Sequence, residues 1–302
     1  MMLHVLAVVL AALTTNSSAP AFQPATQPSA QVFNGPVAQG AWFRLRNMKG
    51  AIEVRASTGR NVVVTASRRA GSGDDDDVRF DVQRDGANVT VCAIWPNTRR
   101  CDANGYDSRN DWRRRDDGGL ERVDFVVELP RGINLVAATG NGTVDVRNTG
   151  AEVNASSGNG EVTVIAPGGG VKISSGNGDL EVERARGEVE ASTGNGDITV
   201  STSVGPVSAS SGNGRIEVEM ASLRGSEDMR FSTGNGSIDV AFPSNLSAVI
   251  DARVPYRNFE TDFPIDMAAR WGSQSVEGKI GNGGRRIRFS TGNGSVKIRK
   301  TS

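Results

Sequence analysis

From Leu135 onward the chain alternates apolar and polar positions in short bursts, and the bursts recur at a fixed interval. A Ser/Thr-Gly-Asn-Gly motif begins at Thr139, Ser157, Ser175, Thr193 and Ser211, 18 residues apart each time. After each motif, branched apolar residues fall at alternate positions: Val144/Val146, Val162/Val164, Leu180/Val182, Ile198/Val200 and Ile216/Val218. A second burst places Val153, Val171, Val189 and Val207 on one side, with Ala155, Ile173, Ala191 and Ala209 two places later. A period of two describes a strand with one buried face. Each unit is therefore two short strands and two turns. Neither strand can bury its face alone, so the units must stack.

The pattern predicts an all-β chain, a parallel β-solenoid or β-helix-like stack of 18-residue Gly-Asn-Gly repeats. Its rival is an antiparallel β-meander or sandwich, because Asn-Gly is the strongest short hairpin signal. The polar positions favour the parallel stack. Between the paired apolar residues stand Asp145, Thr163, Glu181, Thr199 and Glu217, acid alternating with hydroxyl. In a parallel stack these are neighbours about 4.8 Å apart, where adjacent acids would repel. Gly and Asn tolerate the positive φ of a tight corner. Asn141, Asn159, Asn177, Asn195 and Asn213 are expected to form a structural side-chain ladder there, and the preceding hydroxyls a second one. Further copies of the motif centre on Asn235, Asn282 and Asn293.

The organisation follows. Residues 1–21 read as a signal peptide: an apolar run over 3–13, too short to span a bilayer, precedes Ala19-Pro20-Ala21. Residues 22–38 read as a flexible leader and 39–134 as an irregular β segment with a mobile loop at 97–119. Residues 135–302 carry the repeats, interrupted by an inserted loop at 241–280 that would cover an open end of the stack. The expected location is secreted, periplasmic or cell-surface, with no membrane span in the mature chain. Cys92 and Cys101 are the two cysteines, and in an exported protein they are expected to pair.

Candidate chemistry is sparse. The only histidine is His4, inside the signal, which excludes the histidine-dependent triads and zinc sites from the mature chain. Lys+Arg and Asp+Glu both number 34, so no basic excess points to nucleic acid. Gly178-Asp179-Leu180 and Gly196-Asp197-Ile198 have a superficial likeness to calcium-binding nonapeptides, but Arg215 stands at the equivalent place one repeat on. The acidic run at 74–77 and the arginines at 113–115 read as solvated loops, and no cofactor is expected. Glu181 and Glu217 would lie two rungs, about 9.6 Å, apart, near the range of an inverting carboxylate pair. However, no Phe, Trp or Tyr lies between Val126 and Arg230 to hold a sugar.

The Ser/Thr-Gly-Asn-Gly-x-apolar-x-Val unit, after an early Gly50-Ala51-Ile52-Glu53-Val54, resembles the bacterial DUF4097 family, described as candidate adhesins. The likeness covers roughly 40–300 and is strongest over 135–240. It implies a β-solenoid, an envelope or extracellular location and a binding or scaffolding role, with 97–119 as an insertion; it implies no site. The expected function is an exported, non-enzymatic adhesin or cell-envelope scaffold whose partner is an envelope polysaccharide or a surface protein. The rivals are a carbohydrate-active enzyme on the same stack and an envelope-stress sensor using the repeats as a protein-interaction surface.

Overall fold

A computed structural model describes residues 29–69, 78–108, 122–254, 256–267 and 275–301. The signal segment and the runs at 74–77 and 113–115 lie outside the described residues. The chain forms two long, mostly parallel sheets of 12 and 13 strands that enclose one core. The stack is parallel, as the polar alternation implied, and consecutive repeats pair in register at a shift of 18 residues, Val153 with Val171 and Val171 with Val189.

Each rung is a strand on a first face, a Gly-Asn-Gly corner, and a strand on a second face. The central rungs are Asn134–Asn141 with Val144–Arg147, Val153–Asn159 with Val162–Ile165, and Val171–Asn177 with Leu180–Ala185. Val189–Asn195 with Ile198–Thr202, and Val207–Asn213 with Ile216–Met220, continue them. Two later rungs are Met229–Asn235 with Ile238–Phe242 and Arg286–Asn293 with Val296–Lys300. The stack also reaches further back than the motif does. Trp42–Lys49 pairs with Asn134–Asn141, and Ile52–Ser57 with Val144–Arg147, so part of the segment read as irregular is a rung like the rest.

The inward columns explain the stacking. Leu135, Val153, Val171, Val189 and Val207 are all buried on the first face, opposite Val144, Val162, Leu180, Ile198 and Ile216 on the second. Each such side chain contributes about 1.5–3 kcal/mol on burial. Beside them the first face carries Ala137, Ala155, Ile173, Ala191 and Ala209, small side chains on either side of one isoleucine. The aromatics gather where the core widens toward its ends. Phe231 stacks on Phe289 at 5.3 Å near one end, and Phe33 on Phe43 at 6.1 Å near the other.

The ends are built by excursions. After Ile52–Ser57 the chain adds Asn61–Arg69, Arg79–Asp85, Asn88–Ile94 and Arg122–Pro130 outside the first rung, then returns to its inner side. Residues 22–38 are not leader throughout: Ala30–Pro36 is an edge strand antiparallel to Asn61–Arg69, with Phe33 turned into the core. The loop at 97–119 likewise begins as a hairpin, Thr98–Asp102 with Gly105–Ser108. The Cys92–Cys101 disulfide (S–S 2.00 Å) ties that hairpin to Asn88–Ile94. At the other end, 241–280 supplies Ala248–Arg253, Phe259–Thr261, Ile265–Met267 and Val276–Ile280. Ala248–Arg253 and Phe259–Thr261 pair with the outer side of the last rung, which is thereby inserted between the preceding rung and the cap.

The corner glycines set the tightest tolerance. A Cβ on Gly178, at φ +153°, would lie 2.2 Å from the carbonyl oxygen of Gly160 one rung away. Gly178→Ala is expected to cost more than about 2 kcal/mol of stability. Gly170 lies at the opposite edge, where the nearest atom to an added Cβ is 3.6 Å away, so Gly170→Ala should stay within about 1 kcal/mol of the parent. Urea midpoints of the two variants check both.

Candidate functional site

The sequence-derived residues fall along the Gly-Asn-Gly edge, where they bond to one another. Asn159 Nδ2 donates to Asn141 Oδ1 at 2.8 Å, Asn177 to Asn159 at 2.8 Å, Asn195 to Asn177 at 2.7 Å and Asn213 to Asn195 at 2.7 Å. Asn235 and Asn293 extend the ladder across irregular sequence spacings, at 2.6 and 2.7 Å. Asn282 stands apart, because Gly281-Asn282-Gly283 is the turn between Val276–Ile280 and Arg286–Asn293 and not a corner.

The hydroxyls before the motif make no ladder with one another. They point inward and are buried, so their only reachable acceptors are backbone carbonyls. Ser157 Oγ donates to Gly142 O, Ser175 to Gly160 O, Thr193 to Gly178 O and Ser211 to Gly196 O, at 2.8–2.9 Å. Thr139 does the same with Gly50 O at 2.9 Å, which joins the first rung, lacking the motif, to the series. The two aspartates with a likeness to calcium ligands are also used within the stack. Asp179 Oδ1 accepts from the Asp197 amide at 2.8 Å, and Asp197 Oδ1 from the Arg215 amide at 2.7 Å. Asp124 accepts from the Ala51 amide at 2.8 Å in the same way.

The second face carries the charged column. Its centre alternates Thr163, Glu181, Thr199 and Glu217 in register. The alternation stops at both ends, where Glu53 faces Asp145 and Glu217 faces Asp239. Arginines compensate there: Arg55 reaches Glu53 at 2.5 Å, Arg147 reaches Asp145 at 2.7 Å, and Arg299 reaches Asp239 at 2.6 Å and Glu217 at 3.9 Å. Among the described residues Glu181 has no arginine partner in an ion pair. Its partial burial, then Glu183 and Glu161, push its carboxyl above the ordinary range. Glu217 borders a shallow depression with Arg215 and Asn235 from which Glu181 is absent, so the two carboxylates share no cleft.

The first face is plainer. Ser156, Ser174, Ser192, Ser210, Ser232 and Ser290 form one outward column in register, beside the Asn ladder. The remaining edge, opposite the Gly-Asn-Gly corners, carries two adjoining grooves that share Arg131 and Asn148. The sequence reading passed over this edge because its arginines are scattered between positions 60 and 186. The signal available was their common place, at the end of a second-face strand or just after it.

A family model described as Toastrack DUF4097 matches residues 43–299. No curated protein matches the chain. Two similar solved structures are a "putative cell adhesion protein" from Clostridium sporogenes ATCC 15579 and a "putative adhesin" from Bacteroides fragilis NCTC 9343. The first is 10% identical, covers 92% of this chain and 100% of that one, and has a TM-score of 0.28. The second is 12% identical, covers 93% and 100%, and has a TM-score of 0.37.

Three outcomes follow from the edge and the charged column. Asn177→Asp leaves an ionised carboxylate facing Asn159 Oδ1, which has lost its donor. The folded-state pKa of that carboxyl is then raised, so the penalty, about 1–3 kcal/mol, applies above it and disappears as pH falls below the unfolded value. In the ladder Asn141 acts as acceptor to Asn159, and Asn141→Asp should cost no more than about 0.5 kcal/mol. Glu181→Gln should gain up to about 0.5 kcal/mol at neutral pH, a gain absent once acid protonates Glu181 in both states. Denaturant midpoints measured at neutral and acid pH test all three.

Proposed function

The chain belongs to the Toastrack DUF4097 family, and from that footing we propose that it is an exported, non-catalytic cell-envelope protein that offers the outside of a rigid stack as a binding surface, an adhesin or scaffold. The observation that carries this reading is how the polar groups are used. The motif hydroxyls, the ladder amides and Asp179 and Asp197 bond within the stack. What remains outward is an extended array of columns repeating about every 4.8 Å, which suits a partner that is itself long and repetitive. The Cys92–Cys101 disulfide supports an oxidising, extracytoplasmic location. An envelope polysaccharide or a surface protein fits such an array.

The test is co-sedimentation of the purified protein with isolated envelope polysaccharide, peptidoglycan and whole cells, with calcium or with chelator. Saturable retention on one fraction, unchanged by chelation, is the expected result. Retention on none of them, or release of new reducing ends from a glycan, would overturn the reading.

A further inference from the structure

The edge opposite the Gly-Asn-Gly corners gathers arginines along two grooves. One groove, of about 820 Å³, runs past Arg60 and Arg131; a second, of about 300 Å³, runs past Arg131, Arg184 and Arg186. Among the described residues no Asp or Glu lines either groove. All four arginines are exposed. Arg184 is paired with Glu183 at 3.1 Å, whereas Arg60, Arg131 and Arg186 make no ion pair among the described residues. Other depressions mix signs: Arg215 lies with Asp197 and Glu217, Lys172 and Arg230 with Glu190, and Arg79 and Arg100 with Asp81 and Asp102. An acid-free set of guanidinium groups along one depression focuses a positive potential there.

The backbone at this edge places the groups. Arg184 is the extra residue of a bulge, inserted between Glu183 and Ala185 where the next rung runs from Ser201 straight to Thr202. It sits at φ +53°, with Asn148 at +58° and Ala166 at +50° at the same edge of the two preceding rungs. A non-glycine residue in that conformation costs roughly 1–2 kcal/mol, and a bulge re-aims its side chain away from the sheet. The lining residues Arg131 and Ser203 belong to the levels of the first cap strand and the fifth rung inward from it. At about 4.8 Å per rung the grooves extend over roughly 24 Å, open along their length.

Resting on the envelope-binding reading above, we infer that this edge is the binding site for a linear acidic polysaccharide, held through regularly spaced carboxylate or phosphate groups. The planar guanidinium fork matches both groups in bidentate geometry. A small anion would need convergent donors in a closed pocket. Here the donors are strung along an open groove in the direction of the stack, which suits a polymer.

The test uses the whole protein and three probes: polygalacturonate for carboxylate, a phosphomannan for phosphate, and neutral dextran. Binding is expected to one or both acidic polymers, weakening as salt rises, and not to dextran. Arg60→Gln, Arg131→Gln and Arg186→Gln combined should weaken it by tenfold or more. The charge-matched triple Arg79→Gln, Arg215→Gln and Arg253→Gln, at exposed positions outside the grooves, should weaken it less than twofold. Equal loss in both triples, or equal binding to dextran, would overturn the inference. Retention on an envelope fraction that the first triple leaves unchanged would sink this site while leaving the envelope-binding reading intact. The carboxylate and phosphate arms separate the two kinds of polymer.

Discussion

How closely one Gly-Asn-Gly corner lies on the next is the constraint on which the stack depends. At each corner three hydrogen bonds cross to the neighbouring rung. The second glycine's amide reaches an asparagine carbonyl, as from Gly160 to Asn177 at 2.8 Å. An inward hydroxyl reaches a glycine carbonyl, and the asparagine side chains bond in series. Together they bring the backbones so close that a Cβ on the first glycine of the motif, Gly176, would lie 2.5 Å from Gly158 O. No side chain fits, and the second glycine needs a positive φ as well. The spacing is accordingly invariant, with three residues from each ladder asparagine to the first buried apolar residue, from Asn141 to Val144 and from Asn293 to Val296.

A stack of parallel strands leaves open ladders at both ends, and both are closed by one device. The terminal rung is not the last thing in space. A segment that leaves the chain next to it pairs on its outer side, antiparallel strands finish three of the four sheet edges, and the outermost strands are short or charged, such as Ile265–Met267 or Arg79–Asp85. The aromatic pairs sit in the end rungs beside these caps, where Phe231 and Phe289 take the places that Ala209 holds in its own rung and Phe43 packs on Phe33 of the edge strand.

What could be read from the sequence follows from the same geometry. Whatever repeats at a fixed interval was visible: the parallel register, the inward Val and Ile columns, the alternation of Thr163 and Glu181. The first rung was missed because Asn47-Met48-Lys49-Gly50 replaces the motif and the next rung begins only at Asn134. Yet Asn47 still reaches Gly50 O at 3.3 Å and Val123 O at 2.9 Å, filling the hydroxyl's place. Asn282 was misplaced because a Gly-Asn-Gly turn serves other connections as well as a corner, here the one between two strands that flank Ala248–Arg253, and sequence alone does not separate the two. The hairpin at 98–108 was hidden in polar residues whose order comes from Cys92–Cys101 and Gln83 to Cys101 O, which tie it to other strands, and from the Thr98–Tyr106 contact between its own two strands. The arginine edge gave no local signal, since its members come together only when rungs far apart in the chain are stacked.

The two long edges of the stack therefore have opposite freedoms. Every departure from the 18-residue period enters at the edge opposite the corners: the excursion after Ser57, the longer connection between Met220 and Met229, and the excursion between Phe242 and Arg286. None enters at the Gly-Asn-Gly edge, where an added residue would break all three cross-rung bonds at once. Extra residues, bulges and positive-φ side chains are tolerated only where rungs are not held corner to corner, and there they can be selected for what they present to solvent. Arg60, Arg131 and Arg186, which make no ion pair among the described residues, lie together on that edge. A fold that fixes one side by close approach concentrates its capacity for recognition on the other, because only there can side chains change without moving the rungs.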